Sequence, residues 1–401
     1  MVAGLATGES ITNPDKKLTD AGIEVILESA QKIDTQAHEI LLSNGRKLPY
    51  DKLVLGTGAR PFIPPVEGRE LEGVFSLRSL SDAEKIREYS DRTGARRFVF
   101  VGSGFISVEL ATLIKSSDPE KYEITVVELL DHPLPLMLDP ELGDRAGEYL
   151  SDRGIRMLMG KKVVKITGDG TKATGVELDS GESLDADVVF LNVGARPDLE
   201  LAEQAGIEIG KFGIKVNGFL ETSDPDILAA GDCIEQKNFI TGKPSAVQLR
   251  GPAVIQGRFV AKRLAGYDFE WPGILGNSAV KLFDRHIGAT GLNESAATGE
   301  GYETVSATVD SRSRHGMIMG TKPWTLKLVF NKKNHELIGG QIMSDADAPV
   351  KEIDTVNALI LGHSTAEDLS MLMCAGNPDI SSEPSLEPIT IAAEQALQKM
   401  K

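Results

Sequence analysis

The stretch from Arg97 to Asp131 constrains what this chain can fold into more than any other. It opens with the apolar run Phe98-Val99-Phe100-Val101 and turns at Gly102-Ser103-Gly104. A helical pattern from Phe105 to Ile114 follows, and a second apolar run, Ile124-Thr125-Val126-Val127, ends on Glu128. Strand, glycine turn, helix, strand, acidic residue is the order that a dinucleotide-binding unit requires. Gly102 permits the tight turn, and Gly104 removes the Cβ that would keep the backbone away from a pyrophosphate. The helix starting near Phe105 and Ile106 directs its N-terminal N–H groups and positive dipole end at the phosphates. Glu109 sits one turn further on. Glu128 ends the second strand, where a carboxylate can accept hydrogen bonds from an adenosine ribose. Ser107 departs from the pattern, which prefers Gly or Ala there for close helix–strand packing.

The remaining sequence allows room for more than this unit. A length of 401 residues accommodates two or three domains, and 41% apolar residues are ample for real cores. The formal net charge of −16 argues against nucleic acid as a partner, because phosphate backbones need a basic surface. No apolar run approaches the roughly 18 residues of a membrane-spanning helix. The first residues lack the basic start and apolar core of a signal peptide. Cys233 and Cys374 are far apart in sequence, which suits a reducing compartment. A cytoplasmic location is expected.

Ahead of Arg97, Ile23 to Leu27 reads as a short strand, and Ala30 to Leu42 leads into a hairpin signal at Asn44-Gly45. Asp51 to Leu55 reads as a strand running into Gly56-Thr57-Gly58-Ala59-Arg60-Pro61. Further on, Asp187 to Leu191 is a strand running into Asn192-Val193-Gly194-Ala195-Arg196-Pro197, so the tetrapeptide Gly-Ala-Arg-Pro occurs twice. The repetition points to two related nucleotide-binding domains, each with a strand leading to a glycine turn beside its ligand. Between the copies, Val163 to Leu184 reads as a small antiparallel sheet over one side of the Arg97 unit. Thr222 to Asp232 is a turn, a buried strand and then Gly231-Asp232. Gly231 lets a ligand approach, and Asp232 offers a carboxylate to sugar-alcohol hydroxyls while also suiting a helix N-cap. A helical pattern runs from Pro252 to Leu264. After Gly276 come several strand-like runs and then helical patterns at 350–362, 365–373 and 389–400, the order of an α+β domain.

These motifs together resemble the pyridine nucleotide-disulfide oxidoreductases, flavoproteins with two dinucleotide-binding domains, and within them the NADH oxidase, coenzyme A-disulfide reductase and persulfide reductase branch. Gly56 to Pro61 resembles the family's ATG motif, and Gly102 to Ala111 with Val126-Val127-Glu128 resembles its NADH motif. Asn192 to Pro197 resembles its second connector, and Thr222 to Asp232 its second FAD motif. The resemblance implies an α/β fold of two Rossmann-like dinucleotide-binding domains plus a C-terminal α+β interface domain that forms a homodimer. The FAD domain would occupy 1–94 and 213–272, incomplete at its N-terminus. The NAD(H) domain would be inserted at 95–212, and the interface domain would occupy 273–401.

It implies FAD and NADH as cofactors. Their implied site residues are Thr57, Gly58, Arg60, Gly102, Gly104, Phe105, Ile106, Glu109, Glu128, Gly194, Gly231, Asp232 and Ala253, with no catalytic residue assigned. The implied reaction passes hydride from NADH to flavin and on to oxygen, a small disulfide or persulfide, or a redox protein. The alternative is a catalytically silent NADH-binding dimer.

The pattern departs from the family in two ways. No GxGxxG precedes Gly56 and no cysteine precedes Cys233. A longer natural chain is the leading expectation, and incomplete holding of FAD is the other. Asn377 stands where some relatives carry a His-Pro pair, which argues against dithiol chemistry because an amide moves no protons near neutral pH. Cys233 reads as a small packed residue and Cys374 as a helix-end residue. The histidines show no metal-ligand spacing.

Overall fold

The computed structural model describes residues 1–401. It contains two compact units, one made of Ala3–Phe62 with Gly194–Ile274, the other of Ile63–Val193 with Leu275–Lys401. These units are coarser than the domains expected at 1–94 with 213–272, 95–212 and 273–401, since the larger one holds both the Gly102 region and the C-terminal region. The second Gly-Ala-Arg-Pro copy lies in the smaller unit because it pairs with the first, and residues after Phe62 lie in the larger one because Val74–Phe75 pairs with the Val188–Leu191 strand. No helix is long and apolar enough to cross a membrane.

In the larger unit a five-stranded parallel sheet runs in the order Val74–Phe75, Val188–Leu191, Arg97–Val101, Glu123–Val127, Ile155–Leu158. The continuous apolar runs are what a strand covered on both faces needs. Phe98, Val99 and Phe100 are all buried, and Phe100 stacks on Phe190 at 4.5 Å between ring centroids. The Phe105–Ser117 helix packs on this sheet. A small antiparallel sheet, Val163–Gly168, Ala173–Leu178 and Ser183–Asp185, shares a core with it through Val99, Val127, Ile166, Val176, Leu178 and Leu191. Asp187 pins the central strand by accepting from the backbone N–H groups of Arg96 and Arg97 and from the Arg97 guanidinium. Residues 278–344 form a five-stranded antiparallel sheet in the order Ser278–Leu282, Arg285–Gly291, Leu337–Ser344, Pro323–Asn331, Thr304–Arg312. The helices Glu352–Leu361 and Pro388–Met400 pack on its strands.

In the other unit, Leu53–Leu55 and Ile227–Ala229 form a two-stranded parallel sheet beside the three-stranded Ala30–Asp34, Glu39–Leu42, Lys47–Pro49 meander. The long helix is Arg250–Leu264.

Three expectations fail locally. Ile23 to Leu27 joins no sheet, and Leu27 is 86% exposed, because an apolar run becomes a strand only where a ladder partner is available. The 365–373 pattern stops as the helix Ala366–Ser370, so Met371, Met373 and Cys374 lie beyond it and exposed. Asp232 caps no helix: the next one begins at Arg250 behind Leu249.

Candidate functional site

The Gly102 turn has the geometry its sequence predicts. Gly102 has φ +91°, and a Cβ there would lie 3.0 Å from the carbonyl oxygen of Asn192. Gly104 caps the Phe105–Ser117 helix without any side-chain bond, and a Cβ built on it meets no protein atom within 4 Å. The first-turn amides of Phe105 and Ile106 are therefore not taken by a capping side chain, and the positive end of the helix is left open to an anion. In sheet order, the strand ending at Glu128 lies on one side of the glycine-turn strand and Val188–Leu191 on the other. The strand order reverses there, which is where open α/β sheets bind ligands.

Glu128 is held by groups of the turn itself. Its Oε2 accepts from the Ser103 backbone N–H at 2.7 Å and from the Ser103 hydroxyl at 2.8 Å, and its Oε1 accepts from the Leu130 N–H at 3.0 Å. Three donors leave about one of a carboxylate's four lone-pair positions for a sugar hydroxyl. Ser103 is fully buried and was not singled out in the sequence, where it occupies a variable position of the motif. Desolvation raises the Glu109 carboxyl above its ordinary range. Ser107 is fully buried and its hydroxyl has no partner, so the departure from Gly or Ala is real and unsatisfied.

The second group of candidate residues lies in the other unit. Ala59–Pro61 pairs antiparallel with Ala195–Pro197, with Arg60 opposite Arg196. The sequence echo thus becomes one ribbon rather than two separate turns. The Thr57 hydroxyl donates to the Asp198 carbonyl at 2.7 Å. Arg60 pairs with Asp198 at 2.7 Å and Glu200 at 3.1 Å, bonds that raise its pKa further. Gly58 at φ +70° and Gly194 at φ +110° have no protein atom within 4 Å of a built Cβ. At Gly231, φ +85°, only Ala253 approaches, at 3.5 Å. The Gly231 N–H donates to Gln256 Oε1 at 2.8 Å, and half-buried Asp232 follows it. Cys233 is fully buried and burial pushes its thiol pKa up, so it is a packed residue and a poor nucleophile. Asn377 is exposed, and its backbone N–H donates to the Ser381 hydroxyl.

Comparison with known proteins places the chain in a family. The family described as pyridine nucleotide-disulphide oxidoreductase matches residues 3–255, and its dimerisation domain matches residues 278–386. An NADH oxidase of Methanocaldococcus jannaschii is 33% identical over 392 residues, 96% of this chain and 86% of that protein. A solved NAD-dependent persulfide reductase from A. fulgidus superposes with a TM-score of 0.92 at 31% identity, over 99% of this chain and 75% of that one. A solved FAD-dependent pyridine nucleotide-disulphide oxidoreductase from Desulfovibrio vulgaris gives a TM-score of 0.80 at 32% identity, over 95% of this chain and 92% of that one. The protein is an oxidoreductase with the mixed α/β fold of two dinucleotide-binding domains and a C-terminal dimerisation domain, and it belongs to the pyridine nucleotide-disulphide oxidoreductase family.

Proposed function

We propose that the chain binds NADH on the Gly102–Glu128 unit and serves as an NADH-dependent flavoprotein oxidoreductase. The observation that carries this reading is the uncapped helix start at Gly104 beside the fixed Glu128 carboxylate. The first-turn amides of Phe105 and Ile106 would hold the pyrophosphate, Glu128 a ribose hydroxyl, and Glu109 would be a further cofactor contact. A 2′-phosphate would meet the charge of Glu128, and no Lys or Arg follows it through Pro135, so NADH is preferred over NADPH.

The residues of the other unit fit the sugar-alcohol part of FAD. Gly58, Gly194 and Gly231 leave open backbone, Ala253 backs Gly231, Thr57 and Arg60 brace the first turn, and Asp232 supplies an acceptor. When bound, FAD supplies hydride acceptance and onward electron transfer. The chain's part is to bind, orient and shield the reactants. Suitable acceptors are oxygen, a small disulfide or persulfide, or a redox protein. We infer a homodimer through residues 273–401 and a cytoplasmic location.

Calorimetric titration with NADH and NADPH, followed by NADH oxidation assays with added FAD under oxygen, under anaerobic persulfide and with a small redox protein, tests the reading. NADH binding tighter than NADPH, with FAD-dependent turnover, is expected. Equal or tighter NADPH binding overturns the assignment of Glu128, and absence of turnover with every acceptor class overturns the activity.

A further inference from the structure

The segment from Glu128 to Asp139 is anchored at both ends and in part between them, where Pro133, Leu134, Met137 and Leu138 are buried and the Leu130 carbonyl accepts from the Gly160 N–H at 2.9 Å. At the near end, Ser103 donates twice to Glu128, and the Leu134 N–H returns to the Ser103 carbonyl at 3.1 Å. Leu134 is 1% exposed and has φ +55°, a strained conformation for a leucine that only strong surroundings sustain. Between the anchors, Leu129, Leu130 and Leu136 are exposed, Leu136 at 95%.

At the far end the anchor is electrostatic. Buried Asp139 donates its backbone N–H to Gln341 Oε1 at 2.7 Å. Its Oδ2 accepts from Gln341 Nε2 at 2.6 Å and from the Lys327 ammonium at 2.8 Å, and its Oδ1 accepts from the Glu294 N–H at 2.9 Å. Asn293 Nδ2 donates to the carbonyls of Pro135 at 3.3 Å and Leu138 at 3.4 Å. Glu141 and Glu294 also bond to Lys327, which is 1% exposed and is the cation among three carboxylates whose oxygens lie within 4.8 Å of one another. Burial pulls the Lys327 pKa down, but its bonds to Asp139, Glu141 and Glu294 outweigh this and hold it above the ordinary lysine value. Gln341, Lys327, Glu294 and Asn293 all lie in the stretch matching the dimerisation domain, and none lies in the nucleotide unit.

We propose that Lys327, Gln341 and Asn293 are positioning residues for the dinucleotide. They fix the far end of the segment that follows Glu128, so its carboxylate keeps one orientation toward the ribose, and cofactor selection is set in part from the C-terminal domain. This rests on the reading that NADH binds at Gly102–Glu128. A residue that only stabilises the fold would lower the melting temperature without altering the ratio of NADH to NADPH affinity.

The test uses the full chain with Asn293→Ala, Gln341→Leu, Lys327→Met and the charge-preserving Lys327→Arg, with Glu128→Ala as reference. Dissociation constants for NADH and NADPH, thermal unfolding, and hydrogen exchange over residues 129–138 are measured. Asn293→Ala and Gln341→Leu are expected to weaken NADH by about 10-fold, within the ordinary range of coupling between sites, and NADPH by much less. Exchange over 129–138 should rise, and Lys327→Arg should restore most of what Lys327→Met loses. If Lys327→Met does not fold, the two neutral variants decide the matter. An unchanged affinity ratio and unchanged exchange in Asn293→Ala and Gln341→Leu, with NADH still sensitive to Glu128→Ala, overturns the proposal alone. Insensitivity of NADH to Glu128→Ala overturns the reading beneath it.

Discussion

Around Gly102 the parallel sheet has five strands, Val99 at its centre is 1% exposed, and a 13-residue helix starts directly behind the turn. Around Gly58 and Gly231 the parallel sheet has two strands, Val54 in one of them is 42% exposed, and the glycine turns lead into no helix. Both regions use left-handed glycines and a carboxylate near a strand end. They differ in how much of the turn geometry is enforced by surrounding protein. A glycine turn becomes an anion site when a helix start and a covered sheet fix its amides; alone it offers open backbone and a few hydrogen bonds.

The largest effect should separate the two cofactors. Asp232→Ala is expected to weaken FAD by about 10- to 100-fold and to leave NADH binding unchanged. The weakening corresponds to the about 1–3 kcal/mol that hydrogen bonds to a charged carboxylate contribute. Flavin absorbance and NADH titration of the variant check this, and equal loss of both cofactors would erase the contrast between the two regions.

Removing residues 275–401 should damage the Gly102 unit more than the Gly58 region, because that stretch belongs to the same compact unit and carries Lys327 and Gln341. The truncated chain should be insoluble or monomeric through exposed apolar surface. A soluble truncated chain that still sediments as a dimer would refute the interface assignment.

Paired glycine substitutions sharpen the comparison. Gly102→Val should abolish NADH binding, since its Cβ would press on Asn192 at 3.0 Å in a φ +91° conformation. Gly58→Ala meets no protein atom within 4 Å and should cost only the left-handed strain, about 1–2 kcal/mol in thermal unfolding. Equal losses of stability would show that both turns are held alike. Glu128→Ala should reduce the preference for NADH over NADPH by about 10-fold, the 1–2 kcal/mol of a charged hydrogen bond, read by calorimetry. The smallest effect concerns packing behind the turn. Ser107→Ala removes a buried hydroxyl without a partner and should raise stability by about 1 kcal/mol in denaturant unfolding. A loss instead would mean that the hydroxyl finds a partner in solution.

The Gly102 unit can be read from the amino acids alone, because its chemistry is local. The turn, the helix start and the acid follow one another within a single supersecondary motif, and each residue type is demanded by backbone conformation or by phosphate charge. The small Val163–Leu178 hairpin was legible for the same reason, since turn residues sit between matched apolar runs.

Tertiary structure decided the rest. Ile23 to Leu27 has strand composition but no ladder partner. The two Gly-Ala-Arg-Pro copies could have marked separate sites, and only folding made them strand partners. Lys327 sits in an alternating run whose pattern would place it toward water. Folding encloses it at 1% exposure instead, against carboxylates supplied by distant segments. Periodicity records which side of a strand a residue faces. It does not record whether that side meets solvent or a buried charge, because the desolvation and pairing energies that decide it belong to residues far away in the chain.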